Sequence, residues 1–206
     1  MTSYKRMPDA TRDKLVRAGR ELFARRGYKG ASIRAITTRA RANLGAVTYH
    51  FGSKEALYHA VLEHITAPMR ERLRRPVDYE RKALPQIEEY IRATFEFVRR
   101  NPDIPKFVIQ VLVAERNKLP PAVRETIRLN LMRIARLIAM GQQQREIRPG
   151  RPLYLALAIA GQPVLHGIYR NALRDAMRFD PFGRQYRNFV NDLVKFVVAG
   201  LKRGKR

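Results

Sequence analysis

Apolar residues recur every third or fourth position along nearly the whole 206-residue chain, and almost nowhere at every second position. A helix turns once in about 3.6 residues, so this spacing gives each segment one apolar stripe and leaves no strand pattern to pair. The chain is therefore expected to be all-α. Glycine, serine, asparagine and proline cut the pattern into pieces. A first helix is expected from about Asp9 to Arg26, burying Leu15, Ala18, Leu22 and Phe23, with Gly27 as its stop and Tyr28-Lys29-Gly30 as a loop. Ser32 caps a short second helix that buries Ile33, Ile36 and Ala40. After Arg41-Ala42, Asn43 caps a third, Leu44 to about His50, with Val47 inward and Phe51-Gly52 closing it. Ser53 caps a fourth, which buries Leu57, Val61 and Ile65 and is bent or ended by Pro68.

The rest reads the same way. Helices are expected from Pro85 through Val98, from Pro105 to about Ala114, and from Pro120-Pro121 with Ile127, Leu131, Ile134, Leu137 and Ile138 buried. A long apolar helix spans about 152–178 with a kink at Pro163. A last helix carries Phe189, Leu193, Phe196, Val197 and Leu201, and the basic tail 202–206 is expected to be mobile.

Composition narrows the function. An apolar fraction of 45% supplies a packed core, so a disordered basic protein is excluded. The absence of cysteine removes disulfide scaffolds, thiol nucleophiles and thiolate metal sites. No apolar run approaches the roughly 20 residues of a membrane span, and the N-terminal stretch lacks the apolar centre of a secretory signal, so a cytoplasmic protein is expected. The 42 basic residues against 18 acidic ones leave a net charge of +24, which points to a polyanion partner. Arginine makes up 32 of those bases, and its fork matches phosphate better than lysine does. Arg-favouring codons explain that preference equally well, but not the shortage of acids.

Short helices joined by a tight turn and followed by a long one form a helix-turn-helix unit. A helix that enters a major groove needs small or hydrogen-bonding residues on its outer side, and Asn43, Leu44, Gly45, Ala46 and Thr48 supply them. Gly45 and Ala46 permit close approach. Leu44 or Ala46 suits a thymine methyl and Asn43 suits adenine. Ser32, Thr48, Tyr49, His50 and Lys54 are placed to grip phosphates, and Arg34 to reach a phosphate or a guanine.

At these residues the chain resembles the DNA-binding domain of TetR-family transcriptional regulators. The resemblance lies in Ala31-Ser32-Ile33-Arg34-Ala35-Ile36 and in the run from Asn43 through Tyr49-His50-Phe51-Gly52-Ser53-Lys54 to Leu57. Leu22-Phe23-Ala24-Arg25-Arg26-Gly27-Tyr28 matches the end of the family's first helix, and the match covers about residues 10–65. It departs at Arg41-Ala42, where many members have Gly-Val, and at Thr48, where many have an aromatic residue.

The resemblance implies residues 1–52 as the DNA-binding domain, 53–75 as a connecting helix and 76–206 as an effector-binding and dimerisation domain. It implies a homodimer paired through about 152–178 and 184–203, bound to a pseudo-palindromic operator on double-stranded DNA, commonly as a repressor released by a small effector. Candidates for the effector pocket are Tyr90, Phe107, Gln110, Gln162, His166 and Tyr169, with Phe95, Phe97 and Tyr154 beside them; core packing is the plainer role for each. No cofactor and no metal are expected: His59 and His64 stand five apart, off the spacing of one helical face. No phosphate loop, nucleophile elbow or matched carboxylate pair suggests an enzyme. A weakly specific DNA coater stays open, because residues 65–206 hold +16 of the charge and residues 1–64 only +8. A membrane-surface role rests on the basic final helix, whose apolar face dimer packing explains better.

Overall fold

The structure, a computed structural model, describes residues 10–113 and 119–204. The expected first residue of the opening helix, Asp9, the expected end of the sixth at Ala114, and Lys205 and Arg206 of the tail lie outside them. Among the described residues the protein is all-α: ten helices and one isolated bridge, Ile147 with Lys202. The helices are α1 (Ala10–Gly30), α2 (Ile33–Ala40), α3 (Ala46–Phe51), α4 (Lys54–Arg74), α5 (Ala83–Arg100), α6 (Ile104–Val113), α7 (Pro121–Gln143), α8 (Pro152–Ala160), α9 (Gln162–Met177) and α10 (Tyr186–Leu201). They form two compact units, residues 1–68 with 110–123, and residues 69–109 with 124–206.

In the first unit, Leu15, Phe23, Ile36, Val47, Leu57 and Val61 are fully enclosed. Gly19 lets α1 and α4 close up; a methyl group there would stand 3.1 Å from Val61. Phe23, Tyr28 and Tyr58 form an aromatic trio with centroids 5.0–6.0 Å apart. The second unit is built around Ile87, Phe95, Ile134, Leu137, Ile138, Ala156 and Val194. No side chain at Lys82 caps α5; instead the Ala83 N–H donates to Gln144 Oε1 and Glu146 Oε2, both at 3.1 Å.

Several expectations are corrected. Gly27 breaks α1 at φ 70°, but Tyr28-Lys29-Gly30 continues as a last turn rather than a loop. Pro68 does not end α4, which runs on to Arg74. Pro68 and His64, the residue whose carbonyl loses its helical partner, are both exposed, where such a loss costs least. The long helix is two: α8 ends at Gly161, and Pro163 sits in the first turn of α9, where a missing N–H costs nothing, instead of kinking one helix. Ile127 is 39% exposed, not buried. The start of the tail is held, because Arg148 N–H donates to Leu201 O and Arg203 N–H to Glu146 O, both at 2.9 Å.

Two predictions arise from this packing. At Gly141 an added Cβ would lie 2.5 and 2.7 Å from Ile147 carbons and 2.9 Å from Ala83 Cβ. Gly141→Ala is expected to destabilise the protein by about 1–3 kcal/mol through overpacking, read from the urea midpoint. An unchanged midpoint would mean that α7 does not lie against Ala83.

Acid sensitivity is the second. Hydrogen bonds from Arg99, and then Arg100, hold the Glu96 carboxyl at about 2, below its ordinary 4.5. Its folded value lies below its unfolded one, so its stabilisation is present above about pH 4.5 and is lost as the pH falls towards 2. The gap in urea midpoint between the native chain and Glu96→Gln should therefore shrink between pH 6 and about pH 3. A gap that is independent of pH would remove the Arg99 and Arg100 contacts as its cause.

Candidate nucleic-acid interface

The helix-turn-helix begins with a built cap. Ser32 is extended and its Oγ accepts the Ala35 N–H at 3.1 Å, which starts α2 where expected. The turn after α2 forces Arg41 into the left-handed region at φ 53°, with its N–H on Thr38 O at 3.1 Å and the Ala42 N–H on Thr37 O at 2.9 Å. A side chain in that region costs about 1–2 kcal/mol relative to ordinary helical backbone.

α3 starts later than its spacing suggests. The Ala46 N–H bonds Asn43 O at 2.9 Å, so Asn43, Leu44 and Gly45 form a turn before the helix, and Asn43 is not its cap. Gly45 holds that place without a side-chain bond. The turn wins because its backbone bond needs no side chain, whereas an Asn cap must offer its own oxygen. Val47 is fully enclosed and pins α3 to the unit. Its neighbours point out: Asn43, Gly45 and Thr48 are exposed, Leu44 is 61% exposed and Tyr49 85%. Ala46 and His50 are half-buried, with His50 edge-on to Tyr49 at 4.9 Å. The result is one outward face, mostly uncharged, that carries small, apolar and hydrogen-bonding groups.

Around it stand the cations. Arg34 is exposed on α2, beside an open depression between α1 and α2 that is also lined by Ser32, Arg25, Arg26 and Arg39. Glu21 in the same depression binds Arg39 at 2.8 Å and Arg25 at 3.8 Å, while Arg26 and Arg34 add further positive charge. Apolar spacing does not single out Arg25 and Arg26; their position in the turn before Gly27, next to the cap at Ser32, is the signal that marks them. Lys54 is less free than expected. Its Nζ lies 4.7 Å from the centre of the Tyr28 ring and 3.5 Å from Lys29 O, and burial lowers it from its ordinary value. Tyr28 thus positions Lys54, a role that nothing in the spacing announces.

The candidate effector residues differ in their surroundings. Phe107 is buried in α6. Gln110 belongs to the first unit, where its Nε2 donates to Phe23 O at 3.0 Å and its buried Oε1 has no partner among the described residues. In the second unit, Tyr90 is buried with its hydroxyl on Asn130 Oδ1. Gln162 donates to Ala158 O at 3.0 Å. His166 Nδ1 lies 2.7 Å from Gln162 O, and its ring faces Phe95 and Phe189 at 5.8 and 5.0 Å. Phe97 is half-buried, whereas Tyr154 and Tyr169 are exposed.

Residues 15–61 match the family model of bacterial regulatory proteins, tetR family. This segment of the chain is thus an N-terminal domain of the tetR type. It is 34% identical over 98 residues to the HTH-type transcriptional repressor NicS of Pseudomonas putida, covering 46% of this chain and 45% of that protein. It is 34% identical over 64 residues to the HTH-type transcriptional repressor AcnR of Corynebacterium glutamicum, covering 31% of this chain and 34% of that protein. The chain thus spans less than half the length of these curated relatives. Among solved structures, the transcriptional regulator FadR from Bacillus subtilis, in complex with stearoyl-CoA, superposes with a TM-score of 0.69 over 92% of this chain and 98% of that one, at 16% identity. That likeness extends the shared fold across the C-terminal helices. The chain therefore has an N-terminal helix-turn-helix domain followed by a helical C-terminal domain. No helix among the described residues is long and apolar enough to cross a membrane.

Proposed function

We propose that this chain is a ligand-responsive, sequence-specific DNA-binding transcriptional regulator, a repressor that a small effector releases from a pseudo-palindromic operator. The observation that carries the reading is the outer face of α3. Asn43, Leu44, Gly45, Thr48 and Tyr49 are exposed together while Val47 locks the helix from behind. A protein that only coated DNA needs cations and has no use for such a face. Ser32, Arg34, His50 and Lys54 hold the phosphates in this reading, and Ala46 stands beside the base edges. The repressor names of NicS and AcnR support it, and the stearoyl-CoA complex of FadR, a protein of the same fold, supports a small effector. The reading assigns the chain no catalysis and puts it in the cytoplasm with its operator.

A second copy of the chain is the partner. Leu153, Tyr154 and Leu157 on α8, Leu165, Tyr169 and Met177 on α9, and Phe196 on α10 are all exposed in the single chain. So many large apolar groups on neighbouring helices support dimerisation through about 152–178 and 184–203. Two half-sites then follow from two-fold symmetry. The effector must bind the DNA-competent and DNA-released dimers unequally, or it shifts nothing.

Selecting bound sites from random DNA tests the reading, and a palindrome is the expected result. Operator and random duplexes should then differ in affinity by on the order of a thousandfold or more at matched salt. A ratio near one at two salt concentrations leaves the coating role, which the +16 carried by residues 65–206 favours.

A further inference from the structure

The surplus of arginine in the second unit has a centre. Arg133 on α7 is half-buried, and its Nη1 donates to the carbonyl oxygen of Arg75, the residue that follows α4. No carboxylate reaches it among the described residues. The acid nearest in sequence on α7, Glu125, is eight residues away, about 12 Å along the helix. That carboxylate is already shared: Arg128 holds it at 2.9 Å, Arg74 at 3.9 Å, and the charge of Arg70 bears on it too. The groups that do face Arg133 are neutral or alike in sign. Tyr90 is kept a phenol by burial, with its hydroxyl on Asn130 Oδ1, and Asn130 Nδ2 reaches Ala160 O at 3.4 Å. Burial lowers Arg133 from its ordinary value, and the like charge of Arg75 adds a smaller effect in the same direction.

A guanidinium partly withdrawn from water, with most of its donors unused and no anion beside it, is costly unless something supplies the missing charge. We propose that the effector is a small anion whose carboxylate or phosphate docks on the fork of Arg133, between the end of α4, α5 and α7. The proposal rests on the regulator reading above and specifies the chemistry of its ligand. A small molecule fits better than a duplex. The guanidinium is drawn in against the buried Tyr90, whereas the exposed Arg72, Arg74 and Arg75 would meet a DNA backbone first. Asn130 and Arg133 lie three residues apart on α7, so an anion on one lies beside a neutral hydrogen-bonding group on the other.

Isothermal titration of the full chain with octanoate, octyl phosphate and octan-1-ol tests this. At least one of the two anions should bind, and more tightly than the alcohol by about tenfold or more. The stronger of the two anions identifies the head group. Arg133→Gln should weaken that binding at least about tenfold, and Arg128→Gln, whose side chain is committed to Glu125, by less than about twofold. If circular dichroism shows Arg133→Gln unfolded, Arg133→Lys carries the test; it keeps the charge, loses the fork and should bind several-fold more weakly. Equal binding of alcohol and anions, no anion binding at millimolar concentration, or unchanged binding in the folded Arg133 variants overturns the proposal. So does a loss of affinity for operator and random DNA alike in Arg133→Gln, which makes Arg133 a DNA contact. Site selection without a palindrome sinks the regulator reading and leaves anion binding to be judged by titration alone. A palindrome released only by a neutral molecule sinks the anion and spares the regulator.

Discussion

Phe95→Ala is expected to destabilise the protein by about 3–5 kcal/mol, a large share of the stability of an ordinary domain. Its ring is fully enclosed, with the rings of His166, Phe189 and Phe182 centred 5.8, 5.9 and 6.1 Å away. Removing it deletes the apolar transfer term and leaves a cavity among stiff aromatic neighbours that relax little. The measurement is urea unfolding followed by circular dichroism, with Phe196→Ala as the comparison. Phe196 is 77% exposed in the single chain, so its truncation should spare the fold and weaken self-association instead. If Phe95→Ala cost less than about 1 kcal/mol, the aromatic cluster would not be the core of the second unit.

Gly45→Glu is expected to lower operator affinity on the order of a hundredfold while leaving the fold intact. The position is unusually clean for such a test. Gly45 has φ −70° and ψ −10°, which any residue adopts, and an added Cβ meets nothing within 4 Å. The carboxylate would therefore be tolerated by the free protein. On DNA it would occupy the gap between α3 and the base edges and oppose the phosphates on either side. Fluorescence anisotropy with labelled operator, beside a thermal melt, separates the two effects. Affinity within about threefold of the native chain would mean that α3 does not present this face to the groove.

Much of the helix-turn-helix is legible in the sequence, and the reason is local. Ser32 and Ser53 both accept the N–H three residues ahead, Ala35 at 3.1 Å and Ala56 at 3.0 Å, and that geometry depends on nothing beyond one turn. Gly27 and Gly52 lie at positive φ, as chain punctuation by glycine foretells. Where two local signals compete, spacing alone is a poor judge. Asn43 reads as a cap, but the backbone bond from Ala46 to Asn43 makes it the first residue of a turn. Pro163 reads as a kink, but Gly161 offers a cheaper break just before it.

The proposed effector site is much less legible. Tyr90 and Gln110 both look like pocket residues, because a polar group on an apolar face marks a ligand site and a core hydrogen bond equally well. Tyr90 finds Asn130 forty residues away, and Gln110 finds the Phe23 carbonyl 87 residues away. Arg133 does not stand out, being one arginine among 32.

The sequence by itself determined that the chain is helical, where most of its helices begin and end, and which family its first domain resembles. These follow from apolar period and capping, which act within about four residues. Only the tertiary structure decided which polar groups are already satisfied and which are not. That depends on which helices meet, and a carbonyl, a phenol or a guanidinium is committed or left wanting only by what folding brings against it.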